Sequence, residues 1–369
     1  MKKLKKIPFI LSLLSLLTFF TPTNADIKVV ASIKPIHSLA SYLMDGVAKP
    51  DLIVDGYASP HGFAMKPSHA KMLQNADLIF WVGEDLENFL EKPLKSIAKK
   101  AEKIELMEIK GLQVLKFRER NIFDDHDDHG HDDHDDHGKK EDDHDDHDHD
   151  DHGKKEDDHD DHDHDDHGKK EDDHDDHGHD DHGKKDGHDD HDDHDGHEGH
   201  HHGEFDPHIW LDAVNAKVIL KEMAEHLIEN DSKNEATYKS NLKKALNDID
   251  KLTADVKAEL NKSVASIVFH DAYQYFEERF NVNILGAFTV NTDVMPGAEQ
   301  LKEIREIIEH DKVACVFSEP QFNPDIIKAV AKDMNIKTGV VDPLGATLNP
   351  GKSLYFDLIR NMSASFKGC

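Results

Sequence analysis

Residues 124–203 contain not one apolar side chain: 38 are Asp or Glu, 24 are His, eight are Lys and ten are Gly. The unit GKKEDDHDDHDHDDH starts at Gly138 and again at Gly153, and returns with small changes at Gly168 and Gly183, a period of 15. A segment with nothing to bury cannot offset the entropy of ordering its backbone. It is therefore expected to be disordered without metal and to form a surface insertion, so that any fold must be built from the stretches on either side. The tract also localises the charge. The whole chain carries a formal −32; the tract alone carries −30, which leaves −2 for everything else. The acidity thus says nothing about how the folded part meets a partner. No basic patch with interleaved aromatics occurs, so nucleic acid is not an expected ligand.

The first 26 residues, MKKLKKIPFILSLLSLLTFFTPTNAD, combine a Lys-rich start, an apolar run from Ile7 to Phe20 and the small-residue ending Thr23-Asn24-Ala25. This pattern predicts a secretory signal peptide over residues 1–25, cleaved after Ala25. The apolar run falls short of the ~20 residues that a membrane span needs. Since the only cysteines are Cys315 and Cys369, no cysteine near the cleavage site can carry a lipid. The mature protein is expected in a bacterial periplasm, where the two cysteines would form a disulfide. Closing that loop would restrict the unfolded chain by about 4 kcal/mol. The alternative is a buried thiol in the run ACVFS with a loose terminal one.

Between Asp26 and Phe123, β-rich runs alternate with helical ones: IKVVAS, HSLASYLMDG, DLIVDG, SHAKMLQNA, ADLIFWVG, ENFLEKPLKSIAKKA and KIELME. The same alternation resumes after residue 262 with SVASIVFHD, AYQYFEERF, VNILGAF, GAEQLKEIREIIEHD, ACVFSEP, NPDIIKAVAKDM and KTGVVDP. Strands that alternate with helices of about ten residues indicate parallel βα units. Between the two sets, Tyr238, Leu242, Leu246, Ile249, Leu252, Val256 and Leu260 recur every three or four residues, one apolar stripe of a long helix. The expected architecture is α/β: a lobe over 26–232 that carries the insertion 124–203, a connecting helix over 233–262 and a second lobe over 263–369. One rigid connector, rather than flexible strands, predicts a limited closing motion.

Seven histidines lie outside the tract. His61 stands in the loop ASPHGFAMKPS after a strand, His208 in FDPHIWLD just before a helix, and His270 ends the run ASIVFHD; Asp342 ends TGVVDP. Ligands of parallel α/β sheets gather beyond the carboxyl ends of strands, so these four can face one cleft. Three imidazoles and a carboxylate make an N3O set that suits zinc. Taken singly, each has a plainer reading as a hydrogen-bonded or solvated side chain. His226 and His310 sit on amphipathic helices and are expected to face water, while His37 and His69 open helices and are as readily structural. Glu319, after ACVFS, points to the same cleft as a supporting or alternative oxygen. The literal H-E-x-x-H at His197–His201 needs a helix, which two nearby glycines and the lack of apolar positions argue against. No G-x-S-x-G occurs, so the chain offers no nucleophile elbow and is not expected to be an enzyme.

Together the segments ASPHGFAMKPS, LQNADLIFWVGEDLE, FDPHIWLD, VFHDAYQYFEERF, VFSEPQF and VVDPLGA resemble the zinc-binding ABC-transporter solute-binding proteins of the ZnuA type, within the metal-receptor cluster A-I that also includes manganese receptors. The resemblance covers nearly the whole mature chain, and such zinc receptors often carry a His- and acid-rich loop at this position. It implies two α/β lobes around a long helix with a metal between them. It also implies His61, His208 and His270 as ligands, and Asp342 as a fourth that in zinc relatives can give way to water. Histidine rather than glutamate at the third position favours zinc over the harder manganese, while nickel and copper remain open. The expected function is a monomeric periplasmic receptor that captures Zn2+ and delivers it to the permease of an ABC importer in the inner membrane, with the tract as auxiliary capture. The alternatives are a metal buffer or storage protein working through the tract, or a receptor for manganese, nickel or another divalent metal.

Overall fold

A computed structural model describes residues 26–118, 121–122, 203–260, 264–290, 292 and 294–369. The expected signal peptide and the repeats of the tract lie outside the described residues.

The first lobe contains β1 (Val29–Ile33), α1 (Lys34–Leu43), β2 (Asp51–Val54), α2 (Pro67–Asn75), β3 (Leu78–Trp81), α3 (Glu84–Ser96) and β4 (Glu102–Glu105). All pairings are parallel, in the order β2-β1-β3-β4. After the tract come α4 (Ala213–Asn230) and α5 (Glu235–Glu259). The second lobe contains β5 (Ser266–His270), α6 (Gln274–Phe280), β6 (Ile284–Thr289), α7 (Ala298–His310), β7 (Cys315–Ser318), α8 (Asp325–Met334) and β8 (Lys337–Val340), again all parallel, in the order β6-β5-β7-β8. The two sheets thus repeat one topology. In the second lobe β5 leads to β6 on one side and pairs with β7 on the other, which opens a crevice at the carboxyl ends of β5 and β7.

The central strands form because both faces are covered. β1 and β3 are buried at every position, as continuous apolar runs of parallel sheets require. In the second lobe the alternation of side chains splits the core: Val268, Ala287 and Phe317 join the main core, while Ile267, Phe269, Phe288 and Val316 pack with Ile304, Ile308, Ile327 and Val330 of α7 and α8.

α5 buries Tyr238, Asn241, Ala245, Ile249, Leu252 and Val256. The stripe is turned slightly from the one read in the sequence, so that Leu242 and Leu246 flank it half-buried. The cause is Asn241, whose Nδ2 donates to Leu43 O at 2.8 Å and Asp45 O at 2.9 Å, satisfying carbonyls at the end of α1. Each large apolar side chain fully buried along this stripe contributes roughly 1.5–3 kcal/mol.

A further helix, α9 (Leu354–Lys367), lies beyond what the βα alternation requires. It buries Leu354, Tyr355, Leu358, Ile359 and Met362, and packs on both α1 and α5. α5 is thus the helix that connects the lobes, as the periodicity predicts, and α9 adds a packed contact beside it. Cys369, just after α9, is disulfide-bonded to Cys315 of β7, with Cα atoms 5.9 Å apart. Among the described residues, no helix is long and apolar enough to cross a membrane.

Candidate metal centre

Each of the three strand-end or loop histidines is delivered by a different local device. His61 follows β2 on a loop where Ser59 Oγ accepts the His61 backbone N–H at 3.3 Å. His208 is set by Asp206, whose Oδ1 accepts both the His208 backbone N–H at 2.9 Å and the ring Nδ1–H at 2.7 Å. The segment beyond it, a 3₁₀ turn over Ile209–Leu211, is pinned: the buried Trp210 Nε1 donates to Pro343 O at 2.8 Å, and Asp212 caps α4 through Val214 N–H at 2.7 Å. Asp212 also receives Arg279 of α6 through Nε at 2.6 Å and a second guanidinium nitrogen at 2.7 Å. Tyr275 of α6 donates its hydroxyl to Asp206 O at 2.7 Å. These bonds hold His208 against the second lobe, beside His270 at the end of β5.

His270 Nδ1 is hydrogen-bonded to Glu319 Oε1 at 2.7 Å, from the residue just past neighbouring β7. Both are buried, 4% and 3% exposed, and they occupy the crevice between β5 and β7. Burial opposes protonation of the His270 ring, but Glu319, with Asp271 and Asp206 behind it, outweighs burial and shifts its pKa upward.

The structure brings His61, His208 and His270 together: one ligand atom from each lies within 4.8 Å of the others. Ring centroids are separated by 5.6 Å, 5.8 Å and 5.3 Å. His208 Nε2 and His270 Nε2 face each other at 3.4 Å. In the neutral rings, with both Nδ1 atoms donating to carboxylates, the facing Nε2 atoms are both lone-pair acceptors. Two such atoms repel unless a proton or a cation lies between them. Tetrahedral coordination at a Zn–N distance of ~2.0–2.1 Å sets ligand atoms about 3.4 Å apart, so this pair already has the spacing of one edge. Aromatic walls restrict both rings: Trp210 lies 5.3 Å from His208, and Phe322, stacked on Phe269, lies 5.7 Å from His270.

Asp342 is placed differently from the three histidines. It follows β8, but its carboxylate folds back on its own turn: Oδ1 accepts Leu344 and Gly345 N–H, both at 3.0 Å, and Oδ2 accepts Ala346 N–H at 2.6 Å. Gly345, at φ +71°, permits that turn. Lys34 of α1 braces it from the first lobe, its buried Nζ donating to the carbonyls of Gly345 at 3.2 Å, Ala346 at 2.9 Å and Leu348 at 3.0 Å. Asp342 Oδ1 also accepts Gln321 Nε2 at 2.8 Å.

The remaining histidines separate cleanly. His37 is buried with Nε2 on Pro50 O at 3.1 Å, and His69 Nδ1 accepts Lys66 N–H at 3.2 Å at the start of α2. His310 is exposed. His226, expected to face water, is instead half-buried, with Nδ1 2.8 Å from Glu102, because α4 lays it against the start of β4. It forms with Glu102 and Glu229 a second, more open group of possible ligands. Sequence reasoning passed over Asp206, whose only signal is its place two residues before a histidine across a proline, and Gln321, which lines the small cavity around the three imidazoles.

The family described as "Zinc-uptake complex component A periplasmic", ZnuA, matches residues 29–369. The high-affinity zinc uptake system protein ZnuA of Brucella abortus is 42% identical over 343 residues, 92% of this chain and 91% of its own length. The protein of the same name from Yersinia pestis is 32% identical over 361 residues, 97% of this chain and 96% of its own. A solved structure described as "Crystal structure of ZnuA" superposes with a TM-score of 0.63 over 92% of this chain and 99% of its own, at 17% identity, which speaks for the fold alone. With a match across nearly all of both lobes and relatives covered almost end to end, the chain belongs to the ZnuA family of periplasmic zinc-uptake components.

Proposed function

We propose that this protein is a periplasmic receptor that captures Zn2+ between its lobes and delivers it to the permease of an ABC importer in the inner membrane. In this reading residues 1–25 direct export and are removed, the mature protein works as a monomer, and the chain itself catalyses no reaction. His61, His208 and His270 are the nitrogen ligands. The observation that carries this is the pair of Nε2 atoms facing each other at 3.4 Å, each on a ring whose Nδ1 is committed to a carboxylate. Carboxylate-oriented imidazoles of this kind are preorganised for a borderline cation. Three neutral nitrogens suit zinc better than manganese, which prefers more carboxylate oxygen. His61 is the mobile partner in capture, since it comes from a loop and completes the set from the first lobe. Asp342 acts on the oxygen side of the site through the turn it organises.

Growth in chelator-treated medium tests the reading. A bacterial strain without its own zinc receptor, given this chain and its matching permease, should grow, and the His208→Ala chain at equal abundance should not. Equal growth with both would overturn the proposal and favour storage on the tract.

A further inference from the structure

Gln321 stands three residues beyond β7 and lines the same small cavity as His61, His208 and His270. Its two amide ends have different fates. The Nε2 end donates to Asp342 Oδ1 at 2.8 Å. An ionised carboxylate can only accept, so this contact fixes which way round the amide stands. Asp342 cannot turn to suit a flipped amide, because three backbone N–H groups of residues 344–346 hold its two oxygens. The Oε1 end is buried and has no hydrogen-bond partner among the described residues. A buried carbonyl oxygen left so costs free energy, and such a cost persists where the group serves a ligand.

We infer that Gln321 Oε1 is the oxygen donor of the metal site, the fourth ligand beside the three imidazoles, with Asp342 as the positioning residue that aims it. This rests on the zinc reading above and adds to it the identity of the oxygen. The chemistry is coherent. A neutral amide oxygen completes an N3O set while leaving the first coordination sphere without a charge, and the compensating carboxylates, Asp206 and Glu319, stand behind the rings. A cation held this way is bound by geometry more than by charge, which suits a cargo that must be released. The same set disfavours a hard six-coordinate ion, which gains most from carboxylates in direct contact. Asp342 then has a purpose at the carboxyl end of β8 without touching the ion.

The test measures thermal unfolding of the full chain across a series of buffered free zinc concentrations, which reports binding to the folded state. Four chains are compared: wild type, His208→Ala, Gln321→Leu and Gln321→Leu with Asp342→Asn. Gln321→Leu is expected to need about tenfold more free zinc for the same stabilisation, equivalent to about 1.4 kcal/mol, and to unfold no earlier than wild type without metal. The double variant is expected to bind zinc no more weakly than Gln321→Leu, since Asp342 acts only through the amide. If Gln321→Leu melts early without metal, Gln321→Ala replaces it, each zinc series being referred to the variant's own metal-free midpoint. A wild-type zinc response in both Gln321 variants, with the response lost in His208→Ala, overturns this inference and leaves the zinc receptor standing. Retention of the full response by His208→Ala overturns the underlying reading itself.

Discussion

Asp206 and Glu319 each hold one ring nitrogen of a histidine at 2.7 Å, and that choice decides which nitrogen remains for a metal. Carboxylate partners of this kind orient the ring and raise its basicity, and their loss typically costs 10–100-fold in metal affinity. Asp206→Asn keeps an oxygen for the His208 backbone and ring N–H groups but removes the charge. Chelator competition should therefore show zinc affinity down by about tenfold or more while the metal-free chain still folds; unchanged affinity would mean that Asp206 does not tune the site. At this scale the sequence was informative where chain position sufficed. His61, His208 and His270 stand at strand ends and a loop, and the structure gathers them. It said less about the oxygen side of the site, where side-chain direction decides. Asp342 stands after β8, as expected, with its carboxylate accepting three N–H groups of its own turn. Gln321 is an amide in a loop, a residue type that composition-based searches for ligands pass over.

The helix α3 shows what elements contribute. Glu87 lies inside it at φ −122° and ψ 49°, a break in the helical path. The break lets a fully buried carboxylate reach back to the end of β3, where Oε2 accepts Val82 N–H at 2.7 Å and Gly83 N–H at 3.1 Å. Burial pushes the Glu87 carboxyl up to about 7, with Ser32 and the two backbone donors opposing and Glu105 of β4 assisting. A carboxyl raised above its unfolded value of 4.5 favours the fold when protonated. Its contribution is complete below about pH 4.5 and is lost as pH rises through 7. Glu87→Gln keeps the acceptor oxygen and cannot ionise. Relative to wild type it should gain stability between pH 5 and pH 8, by up to about 3 kcal/mol, as read from denaturant unfolding at each pH. A constant difference across that range would contradict the assignment. The central strands were legible because parallel strands covered on both faces are unbroken apolar runs. α9 was not, since nothing in a βα alternation calls for a helix after β8. The rotation of the α5 stripe was hidden as well, because it depends on one amide, Asn241, meeting the end of α1.

At the scale of the molecule, the lobes are tied by more than the long helix foreseen from periodicity. α9 packs on α1 and α5, Lys34 reaches three carbonyls beyond Asp342, and Arg279 clasps Asp212. Such cross-ties favour small adjustments over wide opening. The tract brings a charge of −30, which concentrates cations nearby, whereas specific recognition needs the fixed geometry of the folded lobes. In the proposed receptor zinc sits among three imidazoles contributed by both halves of the chain. Anomalous diffraction at the zinc edge from crystals of the zinc-loaded protein locates the ion. A strong peak is expected at ~2.0–2.1 Å from a ring nitrogen of each of His61, His208 and His270; a zinc-loaded crystal with no peak among these three rings would rule the site out.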